Sequence, residues 1–473
     1  MFSDFSEAQE FVQREEIRMI DLKFCDLWGA WHHVSLPARE FVPALMEQGV
    51  GIDGSSIGFK GVESGDMVVV PDLTTGAMDP FWSMKTLSFI CHIREAGSLQ
   101  AFGQDPRAIA LRAERYMVEQ GVAERSSWGP EFEFYVFDSV AIDNAVNRAG
   151  YRVESREADW QSGQDGLGYQ IRRHGGYHAI PPSDTLYDLR SEITACLEAM
   201  GVAVRYHHHE VGGPGQSEIE IALIGIQQAG DATMLTKYAA KMVARQRGQT
   251  VTFMPKPLYG EAGNGMHFHQ TLWQGDRNLF YDPAGYAGLS DTALHYIGGL
   301  LKHASALLAF TNPSTNSYRR LVPGYEAPVS SFFSLANRTA AIRVPKYAAT
   351  AETKRIEFRL PDATCNVYLA LTAQLMAGVD GVLREIDPVA EGFGPYDEDI
   401  FAWSPEERAR LKALPTSLDE ALQAVEEDRD FLLAGGVFTE DLIEAWVRHK
   451  REQEFCAVRE RPHPYEMVLY FDT

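Results

Sequence analysis

Four short segments of the chain carry ionisable residues at every second position. In GPEFEFYVF, Glu131 and Glu133 alternate with Phe132 and Phe134, and in GQSEIEIAL, Glu218 and Glu220 alternate with Ile219 and Ile221. In GMHFHQTL, His267, His269 and Thr271 alternate with apolar or amide residues, and in RIEFRL, Arg355, Glu357 and Arg359 flank Ile356 and Phe358. A strand sends successive side chains to opposite faces, so each segment presents one ionisable and one apolar face. Carboxylates that converge in a cleft repel one another unless a cation sits among them. Oxygen-rich ligation with a minority of imidazole suits Mg²⁺ or Mn²⁺ better than zinc, which prefers nitrogen and sulfur ligands. The stretch HHHEVGGPGQSEIEI adds His207, His208, His209 and Glu210. Three consecutive strand residues cannot all face one site, so at least one of these histidines is structural.

A second group is basic. RRLVPGYEAP, NRTAAIRVP and KRIEFR supply Arg319, Arg320, Arg338, Arg343, Arg355 and Arg359 within otherwise apolar and turn-forming sequence. Arginine reads phosphate and carboxylate bidentately. Divalent cations together with arginines are what phosphoryl transfer requires, since both neutralise phosphate oxygens. No GxxxxGK[ST] motif occurs, which excludes a P-loop enzyme. One or two of the six arginines are expected in structural salt bridges.

These segments need a scaffold, and the pattern of the chain supplies an α+β one. Ile20, Leu22 and Phe24 alternate with Asp21 and Lys23, the chain turns near Gly29, and His33, Val34 and Leu36 return, which predicts a hairpin. VVVPD and LSFICHI predict further strands, with the Gly- and Ser-rich loop GIDGSSIGFKGVESGD before them. Residues 14–101 thus form a small β-rich domain. Asp105 caps a helix that has Pro106 at its first position and ends at Gly121, opening a larger domain over 105–473. Ser417 with Glu420 predicts a capping box before LDEALQAVEED, and Thr439 a cap for EDLIEAWVRHKREQEF. The segment 384–410 reads as a polar, exposed connection.

The composition fits a globular protein of two or three domains: 473 residues, 45% hydrophobic and 23% charged. A net charge of −23 argues against nucleic-acid or anionic-membrane binding. Cys25, Cys91, Cys196, Cys365 and Cys456 include no CxxC pair, so reduced thiols of a cytoplasmic protein are expected rather than a disulfide framework. MFSDFSEAQEF lacks the basic and apolar regions of a signal peptide. HYIGGLLKHASALLAF and VYLALTAQLMAGVDGVL are interrupted by Lys302, His303 and Asp380 and predict buried helices, not membrane spans.

The motifs DGSSIGFKGVESGDM, GPEFEF, GGYHAIPPSD, HHHEV, GQSE, FMPKP, GMHFH, NPSTNSYRRLVPGYEAP, NRTAAIRVP and RIEFRLPD, in this order, resemble those of the bacterial type I glutamine synthetases. The resemblance runs almost end to end. It implies an N-terminal β-grasp domain and a catalytic domain with a curved antiparallel sheet flanked by helices. It also implies a dodecamer of two hexameric rings with active sites between subunits. The implied reaction is ATP-dependent: glutamate's γ-carboxylate is phosphorylated, and ammonia displaces the phosphate, giving glutamine, ADP and phosphate for nitrogen assimilation. The resemblance assigns Glu133, Glu210 and Glu218 to one metal, and Glu131, His267 and Glu357 to a second. The three histidines before Glu210 then precede the site rather than form it. Arg320, Arg359, Gly263 and Glu326 are implied for glutamate, and Arg338 for the transferring phosphoryl group. Arg343, Arg355, His269 and Thr271 are implied along ATP. Asp53 of a neighbouring subunit, with Ser56, Tyr177, Glu210 and Glu326, is implied for ammonium. Glu326 also sits on the flap PGYEAP, expected to close over the acyl phosphate.

Two departures stand out. The family usually has NGSGMH where this chain has AGNGMH, so Ala262 replaces an asparagine expected to contact glutamate. In FAWSPEE, Phe401 stands where many relatives carry an adenylylated tyrosine, so no adenylylation is expected there, although Tyr396 is close. The rival readings are a relative that ligates glutamate to a larger amine, a metal-dependent hydrolase, and a non-catalytic homologue. Retention of Asp53, Ser56, Tyr177 and Glu326 favours ammonia, the arginines and flap disfavour a hydrolase, and the six carried-over metal ligands disfavour a non-catalytic role.

Overall fold

The computed structural model describes residues 1–59, 65–160, 167–325, 327–398, 400–408 and 410–473. Two sheets organise it. The first comprises β1 (Met19–Cys25), β2 (Trp31–Pro37), β3 (Val50–Asp53), β4 (Asp66–Pro71), β5 (Ala77–Asp79) and β6 (Thr86–Glu95). Its order is β2-β1-β6-β4-β3, with β5 also on β6. The predicted hairpin is β1–β2, paired antiparallel from Met19↔Pro37 to Cys25↔Trp31. It turns at Gly29, whose φ is +91° and where a Cβ would lie 2.9 Å from the Asn366 backbone. Only glycine fits that approach.

The sequence places Asp21 and Lys23 on the polar side of the hairpin, yet both are buried. The reason lies far along the chain, because the helix Ile226–Gln246 covers this face with Tyr238. Lys23 Nζ donates to Asp21 at 2.6 Å, Asp79 at 3.1 Å and Ser88 at 2.5 Å, and the Tyr238 hydroxyl donates to Asp79 at 2.8 Å. Burial is tolerated because each charge has a partner. A second tie between the sheet and the rest of the chain is Arg107. Its guanidinium holds Asp231 through Nε at 2.9 Å and Nη2 at 2.8 Å, and Asp72 of the strand end at 2.7 Å. Arg107 follows the predicted cap: Asp105 accepts from the Arg107 N–H, and Pro106 opens the helix Pro106–Glu119.

The second sheet carries the alternating segments. It contains β7 (Arg125–Phe137), β10 (Val204–His209), β11 (Gln216–Ile221), β12 (Thr250–Thr252), β13 (Met266–Gln274), β14 (Arg277–Asn278), β15 (Phe333–Leu335), β16 (Ile342–Val344) and β17 (Ile356–Phe358). The order is β10-β11-β7-β13-β17-β16-β15, with β12 on β7 and β14 on β13. All these pairs are antiparallel except β15–β16. A separate hairpin, β8 (Ser139–Ala145) with β9 (Arg148–Glu154), projects from the end of β7. Phe132, Phe134, Ile219, Phe268, Ile356 and Phe358 are fully buried on the apolar side. They join one core with the helices Ile226–Gln246 and Val367–Leu383. The two apolar stretches of the sequence form buried helices, Asp291–Lys302, Ala304–Thr311 and Val367–Leu383. Among the described residues no helix is long and apolar enough to cross a membrane.

His303 separates the first two of those helices. Its Nε2 lies 3.0 Å from Asp380 and its Nδ1 2.8 Å from Asp428, and the ring stacks on Phe431. Burial alone would lower its pKa, but the two carboxylates outweigh it and raise it above the ordinary 6.5. A raised histidine stabilises the fold fully below the unfolded value and loses that contribution as pH rises through the folded one. The urea midpoint is therefore expected to fall from about pH 6 to about pH 9, and the fall should be shallower in His303→Gln. Equal slopes in the two proteins would remove His303 from the account.

At the C-terminal end Ser417 accepts from the Glu420 N–H as expected, but the Glu420 carboxylate turns to the Thr416 N–H rather than to Ser417, so half the box forms. Thr439 caps Glu440–His449, and the chain continues as a π-helical stretch over Lys450–Phe455. The segment 384–410 is more than an exposed connection. Phe393 and Ile400 are buried, and Asp397 accepts from the Tyr286 and Ser334 hydroxyls at 2.7 and 2.8 Å and from the Leu335 N–H at 2.8 Å. Those bonds fasten it to β15.

Candidate active site

β11, β7, β13 and β17 lie side by side, and their register aligns the ionisable faces. Glu218 stands opposite Glu133, Glu220 and His267 opposite Glu131, and His269 opposite Glu357. The ligand atoms of Glu131, His267 and Glu357 lie within 4.8 Å of one another, as do those of Glu131, Glu133 and Glu218. A third such group is His208, Glu210 and Glu218, and a fourth is Glu131, Glu220 and His269. His267 Nδ1 is 3.2 Å from Glu131 and 3.8 Å from Glu357. The Gly265 N–H donates to Glu133 at 2.7 Å. A side chain at Gly265 would meet His267 Nε2 at 2.5 Å and Arg320 Nη2 at 2.6 Å, so the loop before β13 needs glycine to reach the site.

The electrostatics divide the carboxylates into two sets. Burial, and then the neighbouring carboxylates, push Glu210 and Glu218 well above the usual range. One Glu210 oxygen is buried without a hydrogen-bond partner. Glu131 is held low despite its burial, because His267 and His269 lie beside it. Glu357 is likewise buried, yet Arg359 and Arg343 hold it down at about 2. Arg343 grips one Glu357 oxygen through Nε at 2.6 Å and Nη2 at 2.5 Å, and Arg359 Nη1 makes a short contact with the other. Arg359 Nε also donates to the Arg338 carbonyl at 3.0 Å.

Of the other arginines, Arg320 is buried and spans the floor of the site. Its Nη1 donates to the Leu360 carbonyl at 2.7 Å, and its Nη2 to the Arg359 carbonyl at 3.1 Å. Arg355 is buried with Nε and Nη2 lacking acceptors, beside the exposed Tyr347 ring at 5.4 Å. Arg338 is exposed and lies next to the Tyr177 phenol, whose pKa burial raises. Arg319 points to solvent. The Gly263 carbonyl accepts from Gln216 Nε2 at 2.9 Å, and the Ala262 carbonyl from the Tyr135 hydroxyl at 2.8 Å. His269 is buried with neither ring nitrogen hydrogen-bonded, and Thr271 donates to Asn278 at 2.8 Å.

Two expectations lie elsewhere. Asp53 ends β3 at the edge of the first sheet, Ser56 follows in the turn after it, and both are exposed. The described hydrogen bonds of Asp53 come from Ser55 and Ser56 at 2.6–2.9 Å, and they lower its pKa to about 2. Glu326 lies outside the described residues, as do residues 60–64 of the glycine-rich loop and the Phe401 side chain.

One expectation needs correction. The three histidines do not all precede the cluster, because His208 enters it. Its Nε2 is 3.2 Å from Glu218 and its Nδ1 3.5 Å from Glu210, and its ring stacks on His178 at 4.3 Å. His207 faces Arg190 and Ser191, and His209 is buried against Glu157 at 3.1 Å. The alternation that revealed the other strands contained this answer, since His208 and Glu210 are two residues apart. A further pair had no signal in the sequence. A register shift between Val204 and Tyr206 turns both Arg205 and Tyr206 toward Glu220, which each holds in a short hydrogen bond.

The chain matches two family models, "Glutamine synthetase, beta-Grasp domain" over residues 16–96 and "Glutamine synthetase, catalytic domain" over residues 103–470. The chain belongs to the glutamine synthetase family. Glutamine synthetase of Streptomyces filamentosus is 47% identical over 475 residues, covering 100% of both chains. That of Mycobacterium tuberculosis is 45% identical over 472 residues, covering 98% of both. Among solved structures, Plasmodium falciparum glutamine synthetase superposes with a TM-score of 0.89 at 27% identity, covering 99% of each chain. The ligand-free GmaS structure superposes at 0.81 with 25% identity, covering 99% of this chain and 100% of that one. The β-grasp sheet and the sheet bearing the carboxylates are therefore those of a glutamine synthetase.

Proposed function

We propose that this chain makes glutamine from glutamate, ammonium and ATP by way of γ-glutamyl phosphate, in the service of nitrogen assimilation. The observation that carries the reading is the convergence of Glu131, Glu133, Glu210, Glu218, Glu357 and His267 on one sheet face, in a chain of this family. The residues fit a divalent cation. Glu210 keeps an unpartnered buried oxygen, and Glu210 and Glu218 resist ionisation for want of a counter-charge. The donors are oxygens with a minority of imidazole, which favours Mg²⁺ or Mn²⁺. We assign Glu133, Glu210 and Glu218 to one ion and Glu131, His267 and Glu357 to another, two or more per active site. When bound, these cations neutralise the phosphate oxygens of ATP.

The chain's own groups then have separable tasks. Arg320, Arg359, Gly263 and Glu326 orient glutamate, so that its γ-carboxylate meets the phosphate in line. Arg338 neutralises the transferring phosphoryl group, and Arg343, Arg355, His269 and Thr271 lie along ATP. The unpaired donors of Arg355 are suited to phosphate. Glu210, Tyr177, Ser56, Asp53 and Glu326 attract ammonium, and Asp53 takes its proton before nitrogen attacks. Asp53 at a pKa of about 2 is a poor base while it is exposed. Enclosure by a neighbouring copy would remove water from it and raise that value. The place of Asp53 on the exposed β3 edge of the first sheet supports inter-subunit sites, and we place the chain in a dodecamer of two hexameric rings, cytoplasmic, with its two domains divided between residues 101 and 105.

The test is ATP- and Mg²⁺-dependent phosphate release with glutamate, comparing ammonium with ethylamine, ethanolamine and putrescine. Glutamine formation with ammonium, lost in Asp53→Ala, is expected. A preference for an organic amine would reassign the chain to amine ligation and implicate Ala262.

A further inference from the structure

A cluster of arginines outside the active site lies between the two domains. A cleft of about 400 Å³ opens between β6 and the helix Pro106–Glu119, within the range of small-molecule sites. Arg94 comes from the strand, and Arg112 and Arg115 come from the helix. None of the three has an ion-pair partner among the described residues, in a chain where acidic residues outnumber basic ones by 66 to 43. Arg115 is exposed and has no described hydrogen bond, while Arg94 makes one long contact to the Leu99 carbonyl at 3.4 Å. Arg112 donates through Nη2 to the Gly103 and Val437 carbonyls at 2.6 and 3.1 Å, but its Nε is buried with no acceptor. Burial lowers the pKa of Arg112, against the pull of Asp105 and with a smaller push from Arg115. The one carboxylate at the cleft, Asp105, is already committed, with its oxygens accepting the N–H groups of Arg107 at 3.1 Å and Ile93 at 3.2 Å.

We propose that this cleft binds a small organic anion, a carboxylate or phosphate carried on a compact apolar body. The guanidinium groups supply what such an anion needs, planar donors that match a carboxylate or phosphate in pairs. The body is set by the walls, where Ala108 and Leu111 stand between the arginines. A bare inorganic anion would leave that apolar surface uncovered. The location gives the ligand a mechanical role. His92 lines the cleft, and Arg107 Nη1 contacts it at 2.8 Å while holding Asp72 of the first domain and Asp231 of the second. An occupant touches both domains beside their shared ion pair and holds them together.

Calorimetric titration of the intact oligomer, with ADP and Mg²⁺ saturating the active site, tests this with phenyl phosphate and with 4-methylpentanoate, using inorganic phosphate as the bodiless control. The expected result is one saturable site per chain for phenyl phosphate, 4-methylpentanoate or both, the pattern telling a phosphate from a carboxylate source. Affinity should fall at least about tenfold in Arg94→Gln/Arg115→Gln, which removes two charge-assisted contacts. Arg115 is exposed and Arg94 makes one long contact, so the double variant should retain its fold and glutamine synthesis. The proposal is overturned if neither organic probe saturates, if the double variant binds them equally well, or if inorganic phosphate binds as tightly as phenyl phosphate.

Discussion

Glu357→Gln should lose glutamine synthesis by about a thousandfold or more while the protein remains folded. Glu357 is the point at which the acidic and basic halves of the site meet. It lies in ligand range of Glu131 and His267 on one side, and both its oxygens are gripped by Arg343 and Arg359 on the other. Glutamine keeps the shape but surrenders the charge. It removes a metal ligand and releases two guanidiniums from their set directions. Loss of a single preorganised electrostatic group in an active site commonly costs about 10²–10³ in rate, and here two functions fail together. Glu357→Ala should in addition cost about 3–5 kcal/mol of stability, because the two buried guanidiniums lose their acceptor as well as their counter-charge, whereas glutamine leaves them an acceptor oxygen. Steady-state kinetics and urea unfolding on both variants separate these effects. Activity within tenfold of the parent in Glu357→Gln would remove this residue from the catalytic set.

The second large effect concerns cation binding measured without catalysis. Glu210 and Glu218 are held above the usual carboxylate range by burial and then by neighbouring carboxylates, Glu218 and Glu133 beside Glu210, and Glu131 and Glu133 beside Glu218. For a carboxylate raised by folding, stability is greatest below the unfolded value and falls as pH rises toward the folded one. At neutral pH and without divalent ions, these residues therefore work against the fold. Mg²⁺ or Mn²⁺ should reverse this, adding about 2.7 kcal/mol when the ion is at a hundred times its dissociation constant. Glu218→Gln makes the two parts of the argument separable, because it should raise the melting temperature in EDTA and yet abolish most of the rise that Mg²⁺ produces. A variant less stable than the parent in EDTA, with an undiminished response to Mg²⁺, would contradict the repulsion and the ligation together.

The site was legible in the sequence to the extent that strand geometry made it so. Alternation at Glu131/Glu133, Glu218/Glu220, His267/His269 and Glu357/Arg359 is a local property, and the register of β11, β7, β13 and β17 merely aligned what each strand already showed. His208 obeys the same rule, but three adjacent histidines obscure the spacing that pairs it with Glu210. Other features depended on distant contacts. Asp21 and Lys23 look like a solvent-facing pair until the helix Ile226–Gln246 closes over them. The pincer of Arg205 and Tyr206 on Glu220 requires a shifted register that no residue type announces. Residues 384–410 are polar enough to suggest a loose connection, yet Asp397 alone gathers three donors from neighbouring elements. A solitary anchoring carboxylate leaves no periodic trace.

The position of Asp53 on the β3 edge of the first sheet, apart from the carboxylates of the second, has a genetic consequence. If each reaction centre is assembled from two copies, Asp53→Ala and Glu357→Ala subunits carry complementary defects. Each alone should be inactive, since every centre in a uniform oligomer lacks one group. Co-expressed from two genes, the same two inactive polypeptides should regain activity, because some junctions in a mixed ring join the sound face of one to the sound face of the other. The phenotype of a cell carrying both alleles would then be milder than that of either allele alone, and two loss-of-function mutations would score as lying in different genes although they lie in one.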